Sequence, residues 1–356
     1  MSAIEYFRYI LIGMGYILVL ISLIPILRTG WWFVRVFDYP RSQKFWINLI
    51  ILVVFLFIAD FSKTTDIAFV AVIFLNQVYL LAQIWNYTPL ASIQMQREES
   101  SDRSAIKILI ANVFQDNKRT NLCLSLIREL DPDLVLLVET DQAWAEAMKE
   151  CHDTYPYRIS KPLDNTYGML FFSKLNITKH TVRFLVEPDI PSITVDLMSR
   201  DGQRFRLYGL HPKPPVPGES ETSTERDAEI LIVGKEAKRC DMPVIVAGDL
   251  NDVAWSYTTN LFLKVSGLLD PRIGRGFFST FHANHRLLRW PLDHVFCSTH
   301  FYLRDLKRLP HIGSDHFPIL IEVSLQQHEI KENEEEKMHA DSDDIQVAEE
   351  KIQEAK

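Results

Sequence analysis

The sequence predicts an α/β domain of two stacked sheets with helices on their outer faces, carried behind a helical membrane anchor and followed by an acidic tail. Three observations predict it. Residues 1–96 hold long apolar stretches almost free of charge. From Ala105 onward, short apolar runs bounded by turn or charged residues alternate with helical patterns. Beyond about Gln326, Glu and Lys crowd out almost every aromatic residue, so residues 326–356 cannot bury enough apolar area to offset chain entropy and are expected to be a disordered tail. At 356 residues the chain can bury one large core beside something else.

Residues 9–27 form an uncharged stretch close to the roughly 20 residues a helix needs to cross a bilayer. No small-x-small site follows Leu27, so the stretch reads as an anchor rather than a signal peptide. Residues 67–85 are similar, and Asn76, Gln77 and Gln83 within them need partners on neighbouring helices. Residues 45–59 are shorter and read either as a third span, with Lys44 snorkelling to the interface, or as a re-entrant helix. The first loop carries Arg28, Arg35, Arg41 and Lys44 against Asp38, while the second has only Lys63 beside acids. With three spans, the positive-inside rule puts both the first loop and the C-terminal domain in the cytoplasm. Trp31, Trp32 and Phe33 with Arg35 and Arg41 read as an interfacial element lying on lipid headgroups, which makes the bilayer an expected partner.

Charge divides unevenly, at about +2 for residues 1–96, about −3 for 97–325 and about −7 for the tail. A near-neutral middle segment lacks the basic footprint of a non-specific nucleic-acid binder. The four cysteines are scattered without a CxxC pair, which excludes a zinc framework of the usual spacing.

In the middle segment, strands are expected at residues 106–113, 134–138, 168–173, 192–197, 205–210, 244–247, 294–297 and 317–323. One helix, capped by Asn121, should run to Leu130 before Asp131-Pro132, and another should cover residues 222–238 with Ala228, Leu231 and Ile232 on one side. No GxGxxG or GxxxxGK[ST] loop is present, which disfavours nucleotide-binding sheets of those kinds.

Five places share one property: a polar or acidic residue sits at the end of an apolar strand. They are Asn112, Glu139, His211, Asp249 with Asn251, and Asp315 with His316. Each alone has an ordinary explanation as a solvated strand end or a turn. Together they are what a rigid scaffold uses to aim ligands into a shared cleft, and oxygen ligands such as Glu139 and Asp249 suit Mg²⁺, which keeps waters and shares its shell with phosphates.

On the segments Val246-Ala247-Gly248-Asp249-Leu250-Asn251, Pro291-Leu292-Asp293-His294-Val295 and Gly313-Ser314-Asp315-His316, the chain resembles the endonuclease/exonuclease/phosphatase family over roughly residues 107–322. Trp31, Trp32, Arg35, Asp38, Pro40 and Arg41, with Leu210-His211-Pro212, are similar to a bacterial membrane-anchored subgroup. The resemblance implies a four-layered α/β sandwich, two stacked mixed sheets flanked by helices, and hydrolysis of phosphate esters with a divalent metal, Mg²⁺ or Mn²⁺ in its place. It implies a multi-pass protein of the bacterial inner membrane with a cytoplasmic catalytic domain.

The resemblance also implies roles. Asn112, Glu139 and Asp315 would hold metal; Asp249 would orient or deprotonate water; Asn251 would bind the phosphate; His316, oriented by Asp293, would contact it; and His211 would lie near the leaving group. Two departures stand out: Phe114 occupies a position that is commonly acidic in members that cleave DNA, and Val138 precedes Glu139 where glutamine is common. Asp116 or Asn117 could compensate from the same loop. Arg226 either reaches a phosphate or makes an ion pair with Asp227 or Glu229, and Trp255 either stacks on substrate or packs under the loop. The expected function is a phosphodiesterase or nuclease at the membrane. Alternatives are a hydrolase of lipid headgroups or inositol phosphates, or a silent scaffold, which the intact residue set disfavours.

Overall fold

The computed structural model describes residues 3–98 and 105–356. The N-terminal segment, the candidate anchor, comprises α1 (Ala3–Leu23), the single-turn α2 (Trp32–Arg35), α3 (Arg41–Leu56) and α4 (Thr64–Ile84). Among the described residues, two helices are long and apolar enough to cross a membrane, Ala3–Leu27 and Thr64–Tyr87. The expected third span, α3, has only 16 residues, about 24 Å of helix against a hydrocarbon layer of about 30 Å.

The beginning of α3 is drawn into polar contacts. Lys44 does not snorkel; it is buried and donates to the carbonyls of Ile21 (3.2 Å) and Phe37 (2.8 Å). Inside the bundle the amides pair as their burial requires: Asn48 donates to Gln77 at 2.7 Å and accepts from Asn76 at 2.8 Å, while Gln83 accepts from Arg41. Arg8 of α1 pairs with Asp66 of α4 at one end of the bundle. At the other end Arg41 and Tyr87 bond to the carbonyls of Trp255 and Ala254. The three long helices therefore run side by side in alternating directions, and the loop joining α1 to α3 lies at the same end as the catalytic domain.

Eleven strands follow: β1 (Ala105–Asn112), β2 (Leu134–Val138), β3 (Tyr157–Lys161), β4 (Met169–Ser173), β5 (Asn176–Arg183), β6 (Ser192–Met198), β7 (Arg204–Leu210), β8 (Val244–Asp249), β9 (Asp293–Cys297), β10 (Phe301–Arg308) and β11 (Ile319–Leu325). They form a six-stranded sheet, β10-β11-β1-β2-β4-β3, and a five-stranded sheet, β5-β6-β7-β8-β9. Each sheet has one parallel pair, β1 with β2 and β7 with β8; the other neighbours are antiparallel. Helices α5 (Thr120–Leu130) and α6 (Gln142–Ala147) cover the first sheet, and α7 (Thr224–Arg239) and α8 (Tyr257–Ser266) cover the second. Two mixed sheets between helical layers make the expected sandwich.

The alternation of strand side chains explains why the central strands read as unbroken apolar runs. Ile108, Ile110, Leu134 and Leu136 point between the sheets against Val195, Leu207 and Ile245. Their neighbours Leu109, Val135 and Leu137 point outward against Cys123 and Ile127. Each such side chain taken from water contributes about 1.5–3 kcal/mol. The strands that the sequence did not signal, β3, β5 and β10, are all sheet edges. Each carries charged, partly exposed residues instead of an apolar run.

The tail expected to be disordered is a correction. It forms α9 (Lys331–Glu336) and α10 (Ser342–Glu354), the latter opened by a capping box between Asp341 and Asp344. Ala348 and Ile352, four apart on one face of α10, pack into the core beside α7 and α8, and Lys351 donates to Asp227 at 2.8 Å. Composition counts the charges of this segment and misses that its few apolar residues are spaced for one stripe.

Candidate active site

The two parallel pairs end at one rim of the sandwich. Asn112 closes β1, Glu139 follows β2, His211 follows β7 and Asp249 closes β8. One amide spans the sheets: Asn112 Nδ2 donates to Glu139 Oε1 at 2.6 Å and to Asp249 Oδ2 at 3.0 Å. His211 Nε2 lies 4.0 Å from both of these oxygens. Strand β9 runs antiparallel to β8, so its first residue, Asp293, stands in register with Asp249 at the same rim. His316, on the approach to β11, donates from Nδ1 to Asp293 Oδ2 at 2.8 Å and brings Nε2 to 3.5 Å from Asp249 Oδ2. Ser314 fixes this turn, donating to the Asn112 carbonyl at 2.8 Å and accepting from the His316 amide at 2.9 Å.

Backbone conformation aims these groups. Glu139 (φ 58°) and Asn251 (φ 51°) are left-handed, a state that costs a non-glycine residue about 1–2 kcal/mol and turns the chain sharply at the strand end. Gly248 (φ 141°) admits no side chain, because a Cβ there would meet the Leu210 carbonyl oxygen at 2.0 Å. The Asn251 amide hydrogen goes to Asp249 Oδ1 at 2.9 Å, and its side-chain amide donates to the Pro212 carbonyl at 3.0 Å. Asp315 lines the cleft above the rim with Glu139, Asn251 and His316.

The electrostatics are those of too much negative charge in a dry place. Burial pushes Glu139 up to about 7, opposed by the Asn112 bond and His316 and reinforced by Asp249 and Asp315. Burial likewise raises Asp249, with His316 opposing and Asp293 adding. Burial would lower His316, but Asp293 and Asp249 outweigh it and raise the imidazole to about 10, so it is protonated at neutral pH. Burial lowers His211 to about 4 despite Asp249, so that ring is neutral. A hard divalent cation fits this donor set. Among the described residues, Asp249, Asp293 and His316 bring ligand-type atoms within 4.8 Å of one another. Glu139, whose side chain keeps 18% exposure, adds a carboxylate that faces the cleft.

For Arg226 and Trp255 the structure takes the second of the two readings that the sequence offered. Arg226 is buried among Asp227 and Asp252 and donates to the Asn251 carbonyl at 2.7 Å, so it holds the loop from behind. Trp255 is buried with its indole N–H donating to the Asp38 carbonyl at 2.8 Å. Neither reaches the cleft. Asn117 bonds the carbonyls of Val113 and Ile312, outside the rim cluster. Arg35 and Arg41, expected on lipid headgroups, are buried: Arg35 pairs with Asp38 at 3.0 Å and with Asp252 at 3.8 Å, and Arg41 pairs with Asp38. Sequence reasoning missed Tyr39, whose hydroxyl donates to the Asn251 carbonyl at 3.1 Å. The signal was its place between Asp38 and Pro40, which carried the subgroup resemblance.

A profile of the Endonuclease/Exonuclease/phosphatase family matches residues 109–316, more than half the chain. Among solved structures the chain is similar to D. rerio TDP2 complexed with single strand DNA product, at 18% identity over 62% of this chain and 99% of that one, with a TM-score of 0.53. It is similar to a family protein from Bacteroides thetaiotaomicron at 18% identity, over 64% and 100% of the two chains, with a TM-score of 0.51. The human Nocturnin catalytic domain with bound sulfate anion matches at 18% identity over 65% and 98%, with a TM-score of 0.51. No curated protein sequence matches the chain.

Proposed function

This chain belongs to the endonuclease/exonuclease/phosphatase family, and from that premise we propose that it is a divalent-metal-dependent phosphoester hydrolase of the phosphodiesterase type, held at a membrane by its N-terminal helices. The observation that carries the proposal is the single Asn112 amide joining Glu139 to Asp249 beside the Asp293–His316 pair.

Glu139, with Asn112 and Asp315, would hold Mg²⁺ or Mn²⁺, which neutralises charge on the phosphoryl oxygens when bound. Asp249 takes the proton of the attacking water, since burial makes it a better proton acceptor than an exposed aspartate. His316, charged at neutral pH and steadied by Asp293, donates Nε2–H to a phosphoryl oxygen. Asn251 spends one amide hydrogen on Pro212 and keeps the other for the phosphate. Neutral His211 donates to the leaving oxygen.

The membrane part of the reading is supported by the apolar length of Ala3–Leu27 and Thr64–Tyr87, and the basic first loop favours a catalytic domain on the cytoplasmic side of a bacterial inner membrane. A reporter fused to the C-terminus should be active only in its cytoplasmic format; activity only in the export format would reverse the assignment. The chemistry is tested with the full-length protein in detergent on bis(p-nitrophenyl) phosphate and on DNA and RNA, the D. rerio structure with its DNA product making nucleic acid a natural member of the panel. Hydrolysis that requires Mg²⁺ or Mn²⁺ is expected. Hydrolysis indifferent to EDTA would overturn the metal reading.

A further inference from the structure

The cleft above the rim has a volume of about 640 Å³, and part of its outer wall comes from the N-terminal segment rather than from the sandwich. Trp32, Val36 and Pro40 come from the segment between the membrane helices α1 and α3, and Leu288 and Trp290 come from the loop before β9. No Lys or Arg lines the cleft among the described residues; its charged lining is Glu139, Glu219, Asp315 and His316. A nucleic-acid strand carries a charge at every nucleotide and is held by cations and stacking along a groove. This cleft offers a cation only at its floor.

Apolar side chains next in sequence to the lining residues Trp32 and Leu288 are exposed: Leu287 is 83% exposed, Phe33 51% and Trp31 47%. Gln43, in the first turn of α3, donates to the Leu287 carbonyl at 2.9 Å and ties that loop to the helix bundle. Exposed Trp46, Ile47 and Ile50 extend along the same helix. Exposed apolar residues both on the helix bundle and beside the lip of the cleft are the pattern of a surface that meets lipid.

We infer that the substrate is a membrane phospholipid, whose phosphodiester sits on the floor at Glu139 and His316 while its acyl chains lie along the wall of Trp32, Val36 and Leu288. The inference rests on the hydrolase reading above. In the reaction water adds to phosphorus, the P–O bond to the leaving alcohol breaks and that oxygen takes up a proton, so that a phosphomonoester and an alcohol are released.

The test uses the full-length chain reconstituted in vesicles of phosphatidylethanolamine, phosphatidylglycerol and cardiolipin with Mg²⁺. Phosphomonoester release is measured beside hydrolysis of bis(p-nitrophenyl) phosphate and of a single-stranded oligonucleotide. Phospholipid should be hydrolysed and the oligonucleotide should not. Val36→Asp and Leu288→Asp should each lower the ratio of lipid turnover to soluble-diester turnover at least tenfold, while Leu288→Met should keep it. An unchanged ratio in both Asp variants, or turnover of the oligonucleotide in preference to lipid, overturns the inference. Turnover of the soluble diester without lipid overturns the inference alone, whereas no turnover of any ester overturns the hydrolase reading with it.

Discussion

The floor of the cleft and the part of its outer wall that comes from the N-terminal segment are held in different ways. Asn112, Glu139, His211 and Asp249 stand at the ends of strands whose apolar side chains, Ile110, Val138, Leu207 and Ala247 among them, lie in the dry core between two sheets. The N-terminal part of the wall is a separate segment laid against the domain by an apolar cluster, in which Tyr39 and Phe45 pack with Trp255, Leu292 and Trp290, and by polar contacts. Trp32 donates to the Glu221 carbonyl at 3.0 Å, the Ser223 amide to the Gly30 carbonyl at 2.9 Å, and Tyr39 to Asn251 at 3.1 Å. Rigid strand ends fix chemistry to fractions of an ångström, and a tethered segment can set selectivity without displacing them. Changes in the floor should therefore abolish turnover even in molecules that fold. Changes in the seam should weaken folding or shift rates modestly.

The largest effect should follow from breaking the Asp293–His316 pair. His316→Ala should lower turnover about 1,000-fold, and Asp293→Asn about 100-fold, on the scale of general acid–base and charge-stabilising groups. The double variant should be scarcely worse than His316→Ala, because the two act as a unit. The imidazole's charged form is present below its folded value of about 10 and is lost as pH rises through it. The alkaline limb of turnover should thus move downward in Asp293→Asn, toward the ordinary histidine value of about 6.5. For the same reason the pair's contribution to stability is full below about 6.5 and fades between there and about 10. Rates multiplying independently in the double variant would break the unit apart.

Next in size is the seam. Arg35→Met removes one of the two buried cations beside each of Asp38 and Asp252, which keep Arg41 and Arg226, and should lower unfolding stability by about 2 kcal/mol. Turnover per folded molecule should fall less than tenfold. A full loss of turnover in a stable Arg35→Met protein would mean that wall and floor are not separable. Smallest is Tyr39→Phe, which removes one hydrogen bond to the Asn251 carbonyl. About 1 kcal/mol of loop positioning should appear as a roughly fivefold loss in kcat with KM nearly unchanged.

The same division decides what was legible in the sequence. The floor was legible because each of its residues ends an apolar run that is buried on both faces, and the chemistry restricts residue type there. Strands β3, β5 and β10 were not, because an edge strand buries too little to show a pattern. The wall was legible only as composition. Arg35 and Trp31 are both near the membrane in sequence, yet one is buried against Asp252 and the other is half exposed. Partners more than 200 residues apart leave no local trace. Arg226 stayed between two readings for a similar reason: a basic residue beside the Asn251 loop looks the same in sequence whether it faces the cleft or holds the loop from behind. In α10, the spacing of Ala348 and Ile352 was readable but was outweighed by the charge count.

The central claim is that Glu139 anchors a cation at a floor that hydrolyses phosphoesters, and Glu139→Gln tests it most directly, since it removes one anionic ligand at constant volume. The measurement is the Mg²⁺ dependence of bis(p-nitrophenyl) phosphate hydrolysis by full-length wild-type and variant protein, after circular dichroism has shown both to be folded. The account predicts a loss of at least about 100-fold, near 2.7 kcal/mol of barrier, with the remaining activity needing more Mg²⁺. A folded variant with the wild-type rate and the wild-type Mg²⁺ dependence would contradict it.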